Sequence, residues 1–255
     1  MRMGAQSGQA AVEAAIVLPL FVFLILGILQ LGLMHQARLM TKYAAYKAVR
    51  AGSLHNAKVE VMEKAALAVL MPMVSSRTGG ADGFEVIRPV GSSQEFETKW
   101  NEVGNNQMAG VGLKYAEVTI CGPTQEDIPA NSPEFDFDDP KNTAPTGWRQ
   151  SHRTKLRIQV TFNYRMVIPF ADWVIYQAAR GREIPSVLRM PKKPAPAPNK
   201  EPPGGKADGT YESAAQQGVY IMPIRATYNM RMQSNFYLNK HGLPEKNECL
   251  FPFKY

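Results

Sequence analysis

Two cysteines and four histidines are all that this chain of 255 residues offers of thiol and imidazole metal ligands. Cys121 and Cys249 have no C-x-x-C spacing, so the sequence gives no basis for a redox pair or a zinc knuckle. His35, His55, His152 and His241 are scattered without a ligand or catalytic spacing. G-x-S-x-G, H-E-x-x-H, Walker and dinucleotide fingerprints are all missing. The expectation is therefore a non-enzymatic protein with no cofactor and no metal. The net charge of +7 raises the question of nucleic acid, but the basic residues are dispersed and no nucleic-acid motif accompanies them, so no such partner is expected. The densest acidic stretch, QEDIPANSPEFDFDDP, lacks the ligand spacing, turn glycine and closing glutamate of an EF-hand. It reads as a solvated loop that offsets basic strand residues.

Charge is also lacking from Ala14 to Met34, where Gln30 is the one clearly polar side chain. As a helix this run extends about 31 Å, the hydrocarbon thickness of a bilayer. No small-residue cleavage site follows it and the helical pattern continues, which separates it from an ordinary secretory signal. A lipid bilayer is thus an expected partner. Every backbone amide in lipid must bond internally, so the segment must be helical, with some loosening expected around Pro19.

Beyond the apolar run, HQARLMTKYAAYKAVRAG carries Ala37, Ala44, Ala48 and Ala51 on one helix face. With Gly27 and Gly32 they would let another helix approach closely. The alternative is an alanine-rich helix selected for propensity. Gly52 reads as its stop, and Asn56 as the N-cap of a second helix over 56–74 with an apolar stripe at Val59, Met62, Ala66, Val69 and Met73. KLRIQVTFNYRMVI and the stretch from Tyr220 to Met232 alternate apolar and polar residues, which predicts an antiparallel sheet with one apolar and one wet face, covered by helix 56–74. Weaker strands are expected at 84–90 and 114–121. Pro223, early in its strand, suggests an edge position or a bulge there. FADWVIYQAARG reads as a short helix whose Phe170, Trp173, Val174 and Tyr176 pack into the core, with bilayer contact as the second reading. Six prolines between 191 and 203 place an exposed, extended loop at 189–209.

The N-terminus is the most specific feature. Gly8 is followed by Gln9, Ala10, Ala11, Val12 and Glu13, so a carboxylate stands five residues after a glycine and directly before a long apolar helix. This resembles a class III processing site of the type IV pilin superfamily. GQAAVEAAIVLPLFVFLILG together with AAYKAVRAG resembles the TadE family, pseudopilins or minor pilins of tight-adherence pilus systems. The resemblance covers residues 8–52 and is loose beyond; Ala14 stands where an aromatic often follows the glutamate in that family.

The resemblance implies a pilin-like α+β fold, in which a transmembrane helix extends into a soluble domain with a helix packed on an antiparallel sheet. It implies a prepilin-type leader at 1–8, cut between Gly8 and Gln9 by a prepilin peptidase, an N-terminal helix at 9–52 containing Pro19, and a soluble domain at 53–255. Glu13, the fifth residue of the trimmed chain, would pair with the α-amino group created at Gln9, in the same or a neighbouring subunit; the alternative is a hydrated glutamate among lipid headgroups. Other pilins or pseudopilins and the Tad assembly machinery are the implied partners. The implied location is the bacterial inner membrane, single-pass, with the C-terminal domain in the periplasm or carried into an extracellular pilus. Arg38, Lys42, Lys47 and Arg50 follow the apolar run, and a plain count of basic residues favours the opposite orientation. On an oxidising side Cys121 and Cys249 can form one long-range disulfide; two unrelated thiols are the alternative. The competing reading of the whole is a membrane-anchored periplasmic binding module outside any filament.

Overall fold

The computed structural model describes residues 6–77, 85–128, 133–139, 152–180, 208–238 and 242–249. The expected proline-rich loop lies almost entirely outside them. Helix α1, Gln6–Leu54, runs for 49 residues and passes through Pro19 without interruption. Its composition changes along its length, from bulky apolar side chains to alanine, and its surroundings change with it. Val12, Ile16, Leu20, Leu24 and Ile28 are exposed, whereas Ala37, Thr41, Ala44, Ala45, Ala48 and Val49 are fully buried. The small side chains bring the α1 backbone close to the rest of the chain, and Thr41 satisfies its hydroxyl by donating to the Ala37 carbonyl at 2.8 Å.

Gly52 does not end the helix. It is buried in the last turn, where an added Cβ would meet Met62 and Leu156. The chain reverses instead at Asn56 and Ala57, both left-handed with φ of 55° and 56°. Helix α2 is Val59–Leu70, with Lys58 rather than Asn56 at its N-cap, and a short 3-10 turn, Met71–Met73, follows. Strand β1, Ser75–Arg77, pairs with β2, Glu85–Ile87, as a ribbon separate from the main sheet. Helix α3, Ser93–Val103, was not expected from the apolar pattern. Its start is fixed by a capping box in which Ser92 and Glu95 each bond the other's backbone amide.

The main sheet takes β3, Ala116–Gly122, at one edge, β5, Lys155–Arg165, at the centre and β6, Ile221–Arg231, at the other edge, all antiparallel. Pro223 stands on the edge strand opposite Asn163, as its missing N–H requires. β4, Glu134–Phe135, pairs with β7, Phe236–Tyr237, as a second small ribbon. Helix α4, Ala171–Arg180, follows β5, and α5, Asp208–Gln216, precedes β6. The fold is α+β, a long apolar helix leading into helices and an antiparallel sheet, as the sequence implied.

Two expectations about the sheet need correction. Its apolar face is covered mainly by α1, which lies against β5 and β6, while α2 packs on α1 and reaches β3. The alanine face of α1 can approach the sheet more closely than the bulkier stripe of α2. The polar positions of β5 are not wet either: Arg157, Gln159, Thr161, Asn163 and Arg165 are all buried. Asn163 accepts from the Tyr211 hydroxyl of α5 and donates to the Lys114 carbonyl at 2.7 Å, so the second face of the central strand is roofed by α5 and the approach to β3. On edge strand β6 the same face stays open at Asn229 and Arg231. Arg231 lies 3.7 Å from Asp138, a link between strand and acidic stretch in the sense the sequence suggested.

Candidate membrane anchor and its junction with the domain

The first half of α1 carries apolar side chains on all sides, because no other part of the described chain covers it. Its most apolar 18-residue window has no buried residue, and this is the one helix among the described residues long and apolar enough to cross a membrane. Charge bounds the segment at Glu13, which is exposed, and no further charged side chain occurs before Arg38. From Glu13 to His35 the helix rises about 33 Å, close to a bilayer's hydrocarbon core. Above this level the exposed residues turn basic, with Arg38, Lys42 and Arg50, while the Lys47 ammonium lies 5.3 Å from the centre of the Tyr43 ring.

Residues 8–50 match the TadE-like protein family. The match covers the apolar segment and most of the domain-packed half of α1, and it ends just before Gly52. No curated protein and no solved structure matches the chain.

Within this TadE-like segment Gly8 and Gln9 belong to the first turns of α1. Ala37, Ala44 and Ala48 are occupied by the chain's own domain, and Ala51 is half-buried beside them. Gly27 and Gly32 lie off that contact, and nothing stands within 4 Å of where their Cβ atoms would be.

The TadE-like helix is fastened to the domain at two ends. Near the C-terminus of α1, where backbone carbonyls run out of helical partners, Gln233 N–H donates to the Ser53 carbonyl at 3.0 Å and the Ser234 hydroxyl to the same oxygen at 2.9 Å. Asn56 joins this clasp by donating through its side chain to the Asn235 carbonyl at 2.6 Å. Midway, Tyr46 meets Tyr228 of β6 edge to face, with ring centres 5.4 Å apart. At the other end stands Gln30, fully buried although it belongs to the apolar run. Its side-chain oxygen accepts from the Ile168 N–H at 3.1 Å. The sequence marked Gln30 as the lone polar residue of its run but gave no partner, because the partner is 138 positions away.

Two further ties stiffen the domain that α1 carries. Cys121 and Cys249 form a disulfide across a sequence separation of 128, binding the C-terminal segment to β3. Lys114 Nζ contacts both carboxylate oxygens of buried Glu63 at 2.8 and 2.9 Å, joining α2 to the segment before β3. Beside the disulfide, Arg157 lines a shallow pocket with Thr124, Asp127 and Lys246. Burial lowers the Arg157 pKa and the Asp127 carboxylate opposes that shift. Among the described residues no group of three His, Cys, Asp or Glu is placed to hold a metal ion. What the arrangement can do is mechanical: it couples an apolar rod to a cross-braced domain at several levels along one helix.

Proposed function

We propose that the chain is a pseudopilin-like structural component of a tight-adherence pilus, acting as a minor pilin or as an inner-membrane assembly factor. The observation that carries this reading is the TadE-like match at residues 8–50, lying on a continuous helix whose apolar half stands clear of the domain. In this reading α1 crosses the inner membrane and the domain lies in the periplasm, where an oxidising environment suits the Cys121–Cys249 bridge. A prepilin peptidase cuts between Gly8 and Gln9. The new α-amino group then pairs with Glu13 of the same or a neighbouring chain and sets the axial register of packed helices. Gly27 and Gly32, uncovered within the chain, are the places where a neighbouring helix can come close.

Mass spectrometry of protein from the native host tests the cut, with a chain starting at Gln9 expected and one retaining Met1 overturning it. Copurification with sheared filaments separates filament subunit from membrane-resident factor. The second reading, a membrane-anchored binding module outside any filament, is separated by Glu13→Ala, which disturbs assembly under the first reading and leaves ligand capture untouched under the second.

A further inference from the structure

We propose that the turn after β5 and the first turn of α4, Ile168 to Trp173, form a second membrane contact that dips into the interfacial zone of the bilayer beside α1. The inference rests on the reading of α1 as a bilayer-crossing helix. Its starting point is depth. Gln30 lies about 7.5 Å below His35 along the helix axis, on the hydrocarbon side of the charged boundary. The Ile168 N–H bonded to Gln30 at 3.1 Å is therefore at the same level, so the domain does not stop at the headgroups. A polar side chain at that depth needs a protein partner, and the backbone of this turn supplies one.

The side chains of the turn fit the same place. Pro169 has no N–H to satisfy. Phe170 is 71% exposed and held in a left-handed backbone conformation, φ 67°, which an aromatic residue rarely adopts. Trp173, 37% exposed, is the amphipathic type that collects at membrane interfaces. Asp172 is turned back on the backbone, accepting from the Trp173 N–H at 2.6 Å. The core packing expected for Phe170 and Trp173 is thus not found, while Tyr176, one turn further along α4, is buried and donates to the Tyr211 carbonyl at 3.1 Å. Exposed Leu29 and Leu31 flank Gln30 on α1, so the lipid-facing surface of the rod runs on into the turn. The bilayer is the occupant because this apolar patch continues the surface that α1 already presents to it.

The test uses the full chain in phosphatidylcholine–phosphatidylglycerol vesicles with and without acyl chains brominated near the carbonyl end. W100F/W148F leaves Trp173 as the sole tryptophan. W100F/W148F/W173F/Y228W reports instead from the level of Tyr46, about 24 Å above Gln30. The expected result is vesicle flotation of both variants, with strong loss of Trp173 emission to the bromines and little loss from the upper reporter. W173F in the otherwise unaltered chain reads the same quantity by difference, should the multiple variants fold poorly. Flotation with Trp173 unquenched overturns the proposal. So does a blue-shifted but unquenched Trp173, which would mean that protein, such as a second copy, covers the turn. Failure to float overturns the anchor reading, and this inference with it.

Discussion

Gly52 of α1 sits where any side chain would run into Met62 of α2 and Leu156 of β5. At this position helix, helix and sheet meet without room for a methyl group. In a free helix Gly→Ala stabilises by about 1 kcal/mol, but overpacking a filled core costs about 1 to 3 kcal/mol. With Met62 and Leu156 both fully buried, the crowding wins. We expect Gly52→Ala to destabilise by about 1 kcal/mol in urea unfolding. The same change made in an M62A background should be neutral or stabilising, and an equal loss in both backgrounds would contradict the crowding.

Asn106, left-handed with φ 59°, acts as one more strand residue beside β3: its side chain accepts from the Ala116 N–H at 2.9 Å and donates to the Ala116 carbonyl at 2.6 Å. Both backbone groups are buried there. Asn106→Ala strands them, and we expect a loss of about 2 to 4 kcal/mol in denaturant unfolding. Asn106→Asp should also lose stability, because it removes the donor and sets a carboxylate near Glu63, 3.5 Å from the present amide nitrogen.

The disulfide encloses a sequence separation of 128. C121S/C249S should lower stability by about 4 to 5 kcal/mol in the chain-entropy description, read as a lower urea midpoint. Reductant should shift the parent protein the same way and leave the variant unmoved.

Glu95 provides a pH signature. It accepts from the backbone amides of Gly91 at 2.7 Å and Ser92 at 3.1 Å, and these bonds lower its pKa below 4.5. Because the folded state holds the carboxylate charged more strongly than the unfolded chain does, its contribution is present above pH 4.5 and is lost as pH falls through the folded value. Glu95→Gln should be less stable than the parent at pH 7 and equal to it well below that range. A difference that persists at low pH would show the loss to be one of shape and not of charge.

Much of the fold was legible because the chain repeats simple periods. The alternation from Leu156 to Tyr164 and from Met222 to Met230 belongs to paired strands, and Pro223 marked the edge. The Ser92–Glu95 capping box was written in the sequence too, yet α3 has so few apolar residues that a search by apolar stripe passes over it. Asn56 and Gly52 misled for one reason: residues common at helix ends are also used where backbones come close or turn left-handed, and only the neighbours tell these uses apart.

The sequence alone determined an uncharged helix long enough for a bilayer, a sheet of alternating strands and a TadE-like N-terminal segment, because each is a local regularity of side-chain type. Tertiary structure decided which helix covers that sheet, that the polar side of β5 is buried, and that Gln30 has its partner in Ile168. Burial and hydrogen bonding depend on what lies opposite a residue, and here the opposite group comes from far along the chain.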